Sequence, residues 1–329
     1  MSDNLILALP SKGRLKEQVE AYFKAAGLKI AGSGDGRGYT GASLKGVPGV
    51  EILFVQAGEI PTLLESGDVH LGVTGQDLLR DRLADPDAVL SEILTLGFGH
   101  ARLVVAVPTA WMDVDTMADL KDVAGDLLAK RGHRMRVATK YFTSTRRFFA
   151  QHDISDYRIV ESLGATEGAP NSGAAEIIVD ITSTGATLVA NNLKILSDGQ
   201  MLASEACLAG SRTAAWSEGQ LQALRQILDM VAARDRAKGR LMVVFEGDSA
   251  AYSEIVDELT SELGCITGIS QGSAKGNGSY AVYVEERNLY PLIHRLREAG
   301  FQRVAASAMD YLFEDPNPLY AGFVAAITK

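Results

Sequence analysis

Between Ile177 and Leu188 the chain reads IIVDITSTGATL, and few stretches leave a chain less choice of fold. Three successive β-favouring apolar residues, Ile177, Ile178 and Val179, cannot give one face to a core and the other to water. Such a run describes a strand buried on both faces, as strands of parallel sheets are. The strand ends at Asp180, and a turn of small residues follows: Thr182, Ser183, Thr184, Gly185, Ala186 and Thr187. Leu188, Val189 and Leu193 read as the buried face of the next element. A strand entering a helix through such a turn leaves backbone N–H groups unpaired and directed outward, and the helix dipole adds partial positive charge. The turn therefore suits a phosphate. Its four hydroxyls add donors, and Asp180 is placed to hold a sugar diol or a magnesium-bound phosphate. The same composition also suits an ordinary capped turn, and both readings stay open on spacing alone.

Strands and helices alternate from Leu5 to Leu188, which predicts parallel sheets covered on both faces. Leu5 to Leu9 is a strand ended by Pro10, followed by Ser11-Lys12-Gly13-Arg14 with Ser11 as the helix cap. Lys12 and Arg14 thus lie at a strand's carboxyl end, where ligands of α/β sheets collect. The glycine-rich stretch Gly32 to Gly49 reads as a connection or loose hairpin outside the core. Val50 to Val55 and Val69 to Val73 are strands, the second running into Thr74-Gly75-Gln76-Asp77 with Asp77 at a helix start. Ala101 to Val107 is a strand near the passage between two lobes. Met135 to Ala138 opens another cycle with Thr139-Lys140-Tyr141 at its end, and Thr143 to Thr145 can cap the helix after it. Arg146 and Arg147 then fall in a first turn, an unfavourable place for cations without an anion nearby. Ile159 to Leu163 is a further strand, with Glu167 in the loop behind it.

Leu221 to Val231 has helical amphipathicity, and the polar, basic run AARDRAKGR from Ala232 reads as a linker. Beyond it the order becomes βαββαβ, the ferredoxin-like arrangement, with a hairpin turn at QGSAKGNG.

A length of 329 residues predicts two or three domains, and the net charge of −9 argues against nonspecific nucleic-acid binding, which needs a basic surface. The two cysteines and five histidines form no metal-ligand motif. No apolar run approaches the ~20 residues that span a bilayer, and the first residues lack a signal-peptide pattern. A soluble, cytoplasmic protein without a membrane partner is the expectation.

Six runs together resemble one family, ATP phosphoribosyltransferase: LPSKGRL, EIPTLLESG, LGVTGQDLL, LGFGHARLVVAVP, RVATKYFTSTRRFF and VDITSTGATLVANNLK, in that order from Leu9 to Lys194. The resemblance implies an α/β catalytic region of two lobes like periplasmic binding proteins, with lobe I at 1–103 and 194–232 and lobe II at 104–193. It implies a ferredoxin-like regulatory domain at 238–329 that binds histidine as inhibitor, through residues left unassigned. The implied reaction condenses ATP with phosphoribosyl pyrophosphate, with magnesium held mainly by substrate phosphates, in a homo-oligomer of dimers or hexamers. By the same resemblance Asp180 holds the ribose hydroxyls, and Thr182, Ser183, Thr184, Gly185, Ala186 and Thr187 wrap the 5-phosphate. Lys12 and Arg14 serve pyrophosphate and ATP, Glu167 is a site glutamate, Tyr141 stacks on adenine, and Asp77 lies in the ATP region. Two positions depart from the family's pattern: Gln56 stands where arginine is usual, and His70 where aspartate is common. A non-catalytic two-lobed binding protein is the rival reading.

Overall fold

A computed structural model describes residues 4–32, 42–162, 164–272 and 276–328. Residues 1–3, 33–41, 163, 273–275 and 329 lie outside it, and with them the chain's first residues, the middle of the glycine-rich stretch and the tip of the predicted hairpin turn. The described chain divides into two units.

The first unit opens with β1 (Leu5–Pro10), α1 (Gly13–Ala25), β2 (Lys29–Ala31), β3 (Ala42–Lys45), β4 (Val50–Val55), α2 (Ile60–Ser66), β5 (Leu71–Gly75), α3 (Gln76–Arg82), α4 (Pro86–Val89) and β6 (Leu90–Thr95). β1 is flanked by β4 and β5, parallel to both, in register from Leu5↔Val50 and Leu7↔Leu71. Part of the glycine-rich stretch belongs to this sheet after all. β2 and β3 pair as an antiparallel ribbon, and Ala42 and Leu44 are buried, because alternate apolar residues there face the core despite the glycines around them.

The chain then builds β7 (Ala101–Pro108), α5 (Met117–Arg131), β8 (Met135–Thr139), α6 (Phe142–Gln151), β9 (Tyr157–Glu161), β10 (Ile177–Thr182), α7 (Ala186–Ala190) and β11 (Leu193–Ser204). These strands form a second sheet in the order β11-β7-β10-β8-β9. β12 (Ala206–Ser211) returns to the first sheet, whose order is β2-β3-β4-β1-β5-β12-β6. Two sheets joined by two crossings of the chain make the two-lobed α/β arrangement. The expected lobe limits at 103/104 and 193/194 cut β7 and β11, strands that pair with each other along the second sheet.

α8 (Glu218–Ala237) takes in the first six residues of the run expected to be a linker, leaving only Lys238 and Gly239 as a turn before the strand that opens at Arg240. Ala232, Ala233 and Ala237 are buried, while Arg234 and Arg236 pair with Asp310 and Glu314. The polar composition is that of a helix with one face toward water, which composition alone does not separate from a loop. The second unit, chiefly residues 225–318, follows with β13 (Arg240–Asp248), α9 (Ser249–Ser261), β14 (Ile266–Gly272), β15 (Asn277–Glu285), α10 (Leu289–Glu298) and β16 (Val304–Ala308). Its antiparallel sheet has the order β14-β15-β13-β16, the ferredoxin-like topology. Alternation along β13 and β15 turns Val243, Phe245, Tyr280 and Val282 inward onto Ile255, Leu259, Leu292 and Leu296. α11 (Pro318–Ile327) groups from Leu319 onward with the first unit, where the Phe323 ring packs edge-on against Trp216. No helix among the described residues is long and apolar enough to cross a membrane.

Candidate active site

β10 lies in the middle of the second sheet, between antiparallel β7 and parallel β8. Ile177, Ile178 and Val179 are wholly buried, as a strand flanked on both sides requires. β10 continues two residues beyond Asp180, to Thr182. The chain then turns through Gly185, whose φ of +80° is left-handed and cheap only for glycine. Three hydroxyls shape that turn: Thr182 Oγ1 accepts from Gly185 N–H (2.9 Å), Thr184 Oγ1 accepts from Ala186 N–H (3.3 Å), and Ser183 Oγ donates to the His100 carbonyl (3.0 Å).

α7, the helix behind the turn, has five residues. A helix that short carries little of the expected dipole, so the turn's attraction for an anion rests on its N–H groups, its hydroxyls and nearby cations. Its shortness also corrects the expected apolar face: Leu188 and Leu193 are buried, but Val189 is 73% exposed.

A cleft of about 340 Å³ opens onto the turn, lined by Asp180, Thr182, Ser183, Thr184 and Thr187 from lobe II, by Glu167, and by Arg14 at the start of α1 in lobe I. Lys12 is exposed in the turn before α1 but is not among the lining residues. α1 begins at Gly13, so Ser11 does not cap it; the Ser11 N–H bonds the Val55 carbonyl instead.

Asp180 accepts a hydrogen bond from Ile181 N–H (2.8 Å). Burial raises its pKa above the ordinary aspartate value and the Glu167 charge adds to this, while the Ile181 N–H, Lys140 and the Thr166 hydroxyl pull the other way.

Asp77 and Tyr141 present a different picture. The Tyr141 hydroxyl donates to Asp77 Oδ2 at 2.8 Å, and Asp77 Oδ1 accepts from Ser204 Oγ at 2.7 Å. Asp77 is 5% and Tyr141 1% exposed, the ring lying in the core beneath the second sheet. One turn along α3, Asp81 accepts from Ser144 N–H (2.9 Å) in α6. Two buried carboxylates of lobe I therefore grip the start of a lobe II helix. The Tyr141 phenol is pushed far above its usual pKa, by burial first and then by Asp77. In this arrangement no face of Tyr141 is open to a base, contrary to the stacking expected of it.

α6 also begins earlier than expected, at Phe142, with no side-chain cap. Thr145 Oγ1 instead donates to the Tyr141 carbonyl, and Arg146 and Arg147 move into the second turn, where the dipole places no demand for an anion. His70 has a structural job: it is buried, its Nδ1 accepts from Ile6 N–H (3.0 Å), its ring meets Trp216 edge-on, and burial lowers its pKa. Gln56 lines a separate hollow with Glu59 and Arg82. Asp81 and Ser204 hold the α3–α6 contact without any local signature. Among the described residues no group of three or more His, Cys, Asp or Glu is arranged to hold a metal ion.

An arginine of one lobe facing an acid and a hydroxyl-rich anion turn of the other is the layout of a two-lobed α/β enzyme that handles phosphorylated substrates. The family model described as ATP phosphoribosyltransferase matches residues 56–233. Over 329 residues the chain is 48% identical to the ATP phosphoribosyltransferase of Caulobacter vibrioides (strain NA1000 / CB15N), covering 99% of each. It is also 48% identical over 323 residues to that of Bradyrhizobium sp. (strain ORS 278), covering 98% of each. Among solved structures it resembles the ATP phosphoribosyl transferase (HisG:HisZ) complex from Thermotoga maritima, with 25% identity and a TM-score of 0.54 over 69% of this chain and 96% of that one. The chain belongs to the ATP phosphoribosyltransferase family and is a transferase.

Proposed function

We propose that the chain joins N1 of the adenine of ATP to the anomeric carbon of phosphoribosyl pyrophosphate, giving N1-(5-phosphoribosyl)-ATP and pyrophosphate, the first step of histidine biosynthesis. The observation that carries this is the convergence of Arg14, Glu167, Asp180 and the Thr182–Thr187 turn on one cleft. Adenine N1 already has a lone pair, so no covalent nucleophile is needed. The protein must align the two reactants, stabilise positive charge developing on the ribose ring, and neutralise the departing pyrophosphate.

Asp180 receives the ribose hydroxyls, and Thr182, Ser183, Thr184, Gly185, Ala186 and Thr187 wrap the 5-phosphate. Glu167, beside Asp180, faces the ring carbon that becomes positive. Arg14 meets the pyrophosphate and ATP phosphates, with Lys12 at the mouth of the cleft. Asp77 and Tyr141 form the ATP region only after their mutual hydrogen bond opens, so ATP binding is coupled to movement between the lobes. Magnesium would be held mainly by the substrate phosphates and would offset charge on the departing pyrophosphate.

Following sheet membership, we assign lobe II to residues 101–204 and lobe I to the rest of the first unit. The ferredoxin-like unit is the regulatory domain through which histidine inhibits, in a cytoplasmic homo-oligomer. Protein supplied with ATP, phosphoribosyl pyrophosphate and magnesium should form phosphoribosyl-ATP, seen as a rise in ultraviolet absorbance. Binding of both substrates with no product would contradict the reading.

A further inference from the structure

The start of α3 is tied to the place where the chain crosses between the lobes. The two crossings run side by side. Ser204, the last residue of β11, pairs with Ala101, the first of β7. Beyond them Leu96 N–H bonds the Ala206 carbonyl and Ala206 N–H bonds the Phe98 carbonyl, both at 2.9 Å. The first two residues of α3 are bonded onto the second crossing. Gln76 N–H donates to the Glu205 carbonyl (3.1 Å), and Gln76 Oε1 accepts from Glu205 N–H (3.3 Å). Asp77 N–H donates to Ser204 Oγ (3.0 Å), and Ser204 Oγ donates in turn to Asp77 Oδ1 (2.7 Å). The carboxylate is folded back so far that a Cβ on Gly75 would overlap Oδ1. Gly75 has an extended backbone that other residues adopt freely, so what the position takes from glycine is the missing Cβ. We propose that Ser204 is a positioning residue for ATP: its buried hydroxyl keeps the Asp77 carboxylate fixed at the crossing when the lobes move and Tyr141 leaves it. The proposal rests on the reading of Asp77 and Tyr141 as the ATP region.

The two oxygens of Asp77 are held by different kinds of neighbour. Oδ2 accepts from Tyr141, which precedes α6, and Ser144 within α6 gives its N–H to Asp81. Those donors belong to a lobe II element outside either crossing, and they travel with lobe II. Ser204 lies on the crossing itself, and a hinge confines its change to a few residues about which the rest turns. Its short side chain is 6% exposed and bonded both as donor and as acceptor. Gln76, which completes the tie, is itself held to the first sheet, its Nε2 donating to Glu92 Oε2 at 2.8 Å. Once Tyr141 has gone, Asp77 therefore keeps a hydroxyl donor on Oδ1. Without Ser204 the same opening would leave a carboxylate stripped of both hydroxyl donors, which is costly wherever it is buried.

Ser204→Ala and Tyr141→Phe each take one hydroxyl donor from the same carboxylate, so a role in stability alone predicts like effects from both. The proposal predicts a split. In the full-length protein with saturating phosphoribosyl pyrophosphate and magnesium, Ser204→Ala should raise KM for ATP about tenfold, with kcat within about threefold. KM for phosphoribosyl pyrophosphate should stay within about twofold. Tyr141→Phe should not raise KM for ATP. Ser204→Thr, which keeps the hydroxyl, should bring KM for ATP back to within about threefold of the wild type. A Ser204→Ala protein with wild-type KM for ATP, or a rise that Tyr141→Phe matches, overturns the proposal. Should Ser204→Ala fail to fold, Gly75→Ala is read by the same KM, because its Cβ displaces the same oxygen; an unmoved KM for ATP there overturns the proposal equally. Asp77→Asn separates the two ideas. If it leaves KM for ATP unchanged, the reading of Asp77 fails; if it raises that KM while Ser204→Ala does not, the positioning role alone fails.

Discussion

The anion turn after β10 and the contact between α3 and α6 are both polar, both span few residues, and both answer to motifs visible in the chain. They are built in opposite ways. The turn is open, two of its hydroxyls bond backbone N–H groups two or three residues on, and its acid sits at the cleft wall. The α3–α6 contact is closed: Asp77, Asp81 and Tyr141 are buried, and their partners lie 63 to 127 residues away in the chain. Polar groups buried with partners hold structure, whereas polar groups left open to a cleft receive a ligand. A Thr-Gly step at a strand's end thus lines a cleft in one lobe, at Thr184-Gly185, and leads into the joint between lobes in the other, at Thr74-Gly75.

Two substitutions press on that difference. The larger effect belongs to the cleft: Arg14→Ala should lower kcat/KM by about a hundredfold or more, as loss of an electrostatic stabiliser does, with the thermal midpoint nearly unchanged because the side chain is exposed. A smaller kinetic effect with a clear loss of stability is expected at the joint. Tyr141→Phe leaves Asp77 buried with one donor fewer, costing about 1–3 kcal/mol in denaturant unfolding. It should not raise KM for ATP, since the ring is kept and the bond that hides it is gone. If Tyr141→Phe were as stable as the wild type, the buried bond would not join the lobes.

Most of the fold was legible in the chain. The two-sided apolar run at Ile177–Val179 predicted its buried strand, and the βαββαβ order predicted the C-terminal sheet because hydrophobic period and turn residues change together there. The misses share a cause. Ala232–Ala237 is helix and Ala42–Lys45 is strand because neighbours bury one of their faces, and burial by neighbours is not written in composition. Tyr141 was visible as a residue at a strand end, but its partner Asp77 lies 64 positions away. Asp180 and the hydroxyl turn could be picked out because one contiguous stretch builds them.

Asp180 itself gives the most direct test. Burial raises its pKa in the folded protein above the unfolded value. The stability linked to it is therefore fully present below the unfolded pKa and lost as pH rises through the folded one, so at neutral pH the ionised group weakens the fold. Asp180→Asn should then keep or slightly raise the thermal midpoint at neutral pH. It should also lower kcat/KM for phosphoribosyl pyrophosphate by about a hundredfold, with KM for ATP within about twofold. Wild-type kinetics in a folded Asp180→Asn protein would contradict the assignment of this cleft to the ribose.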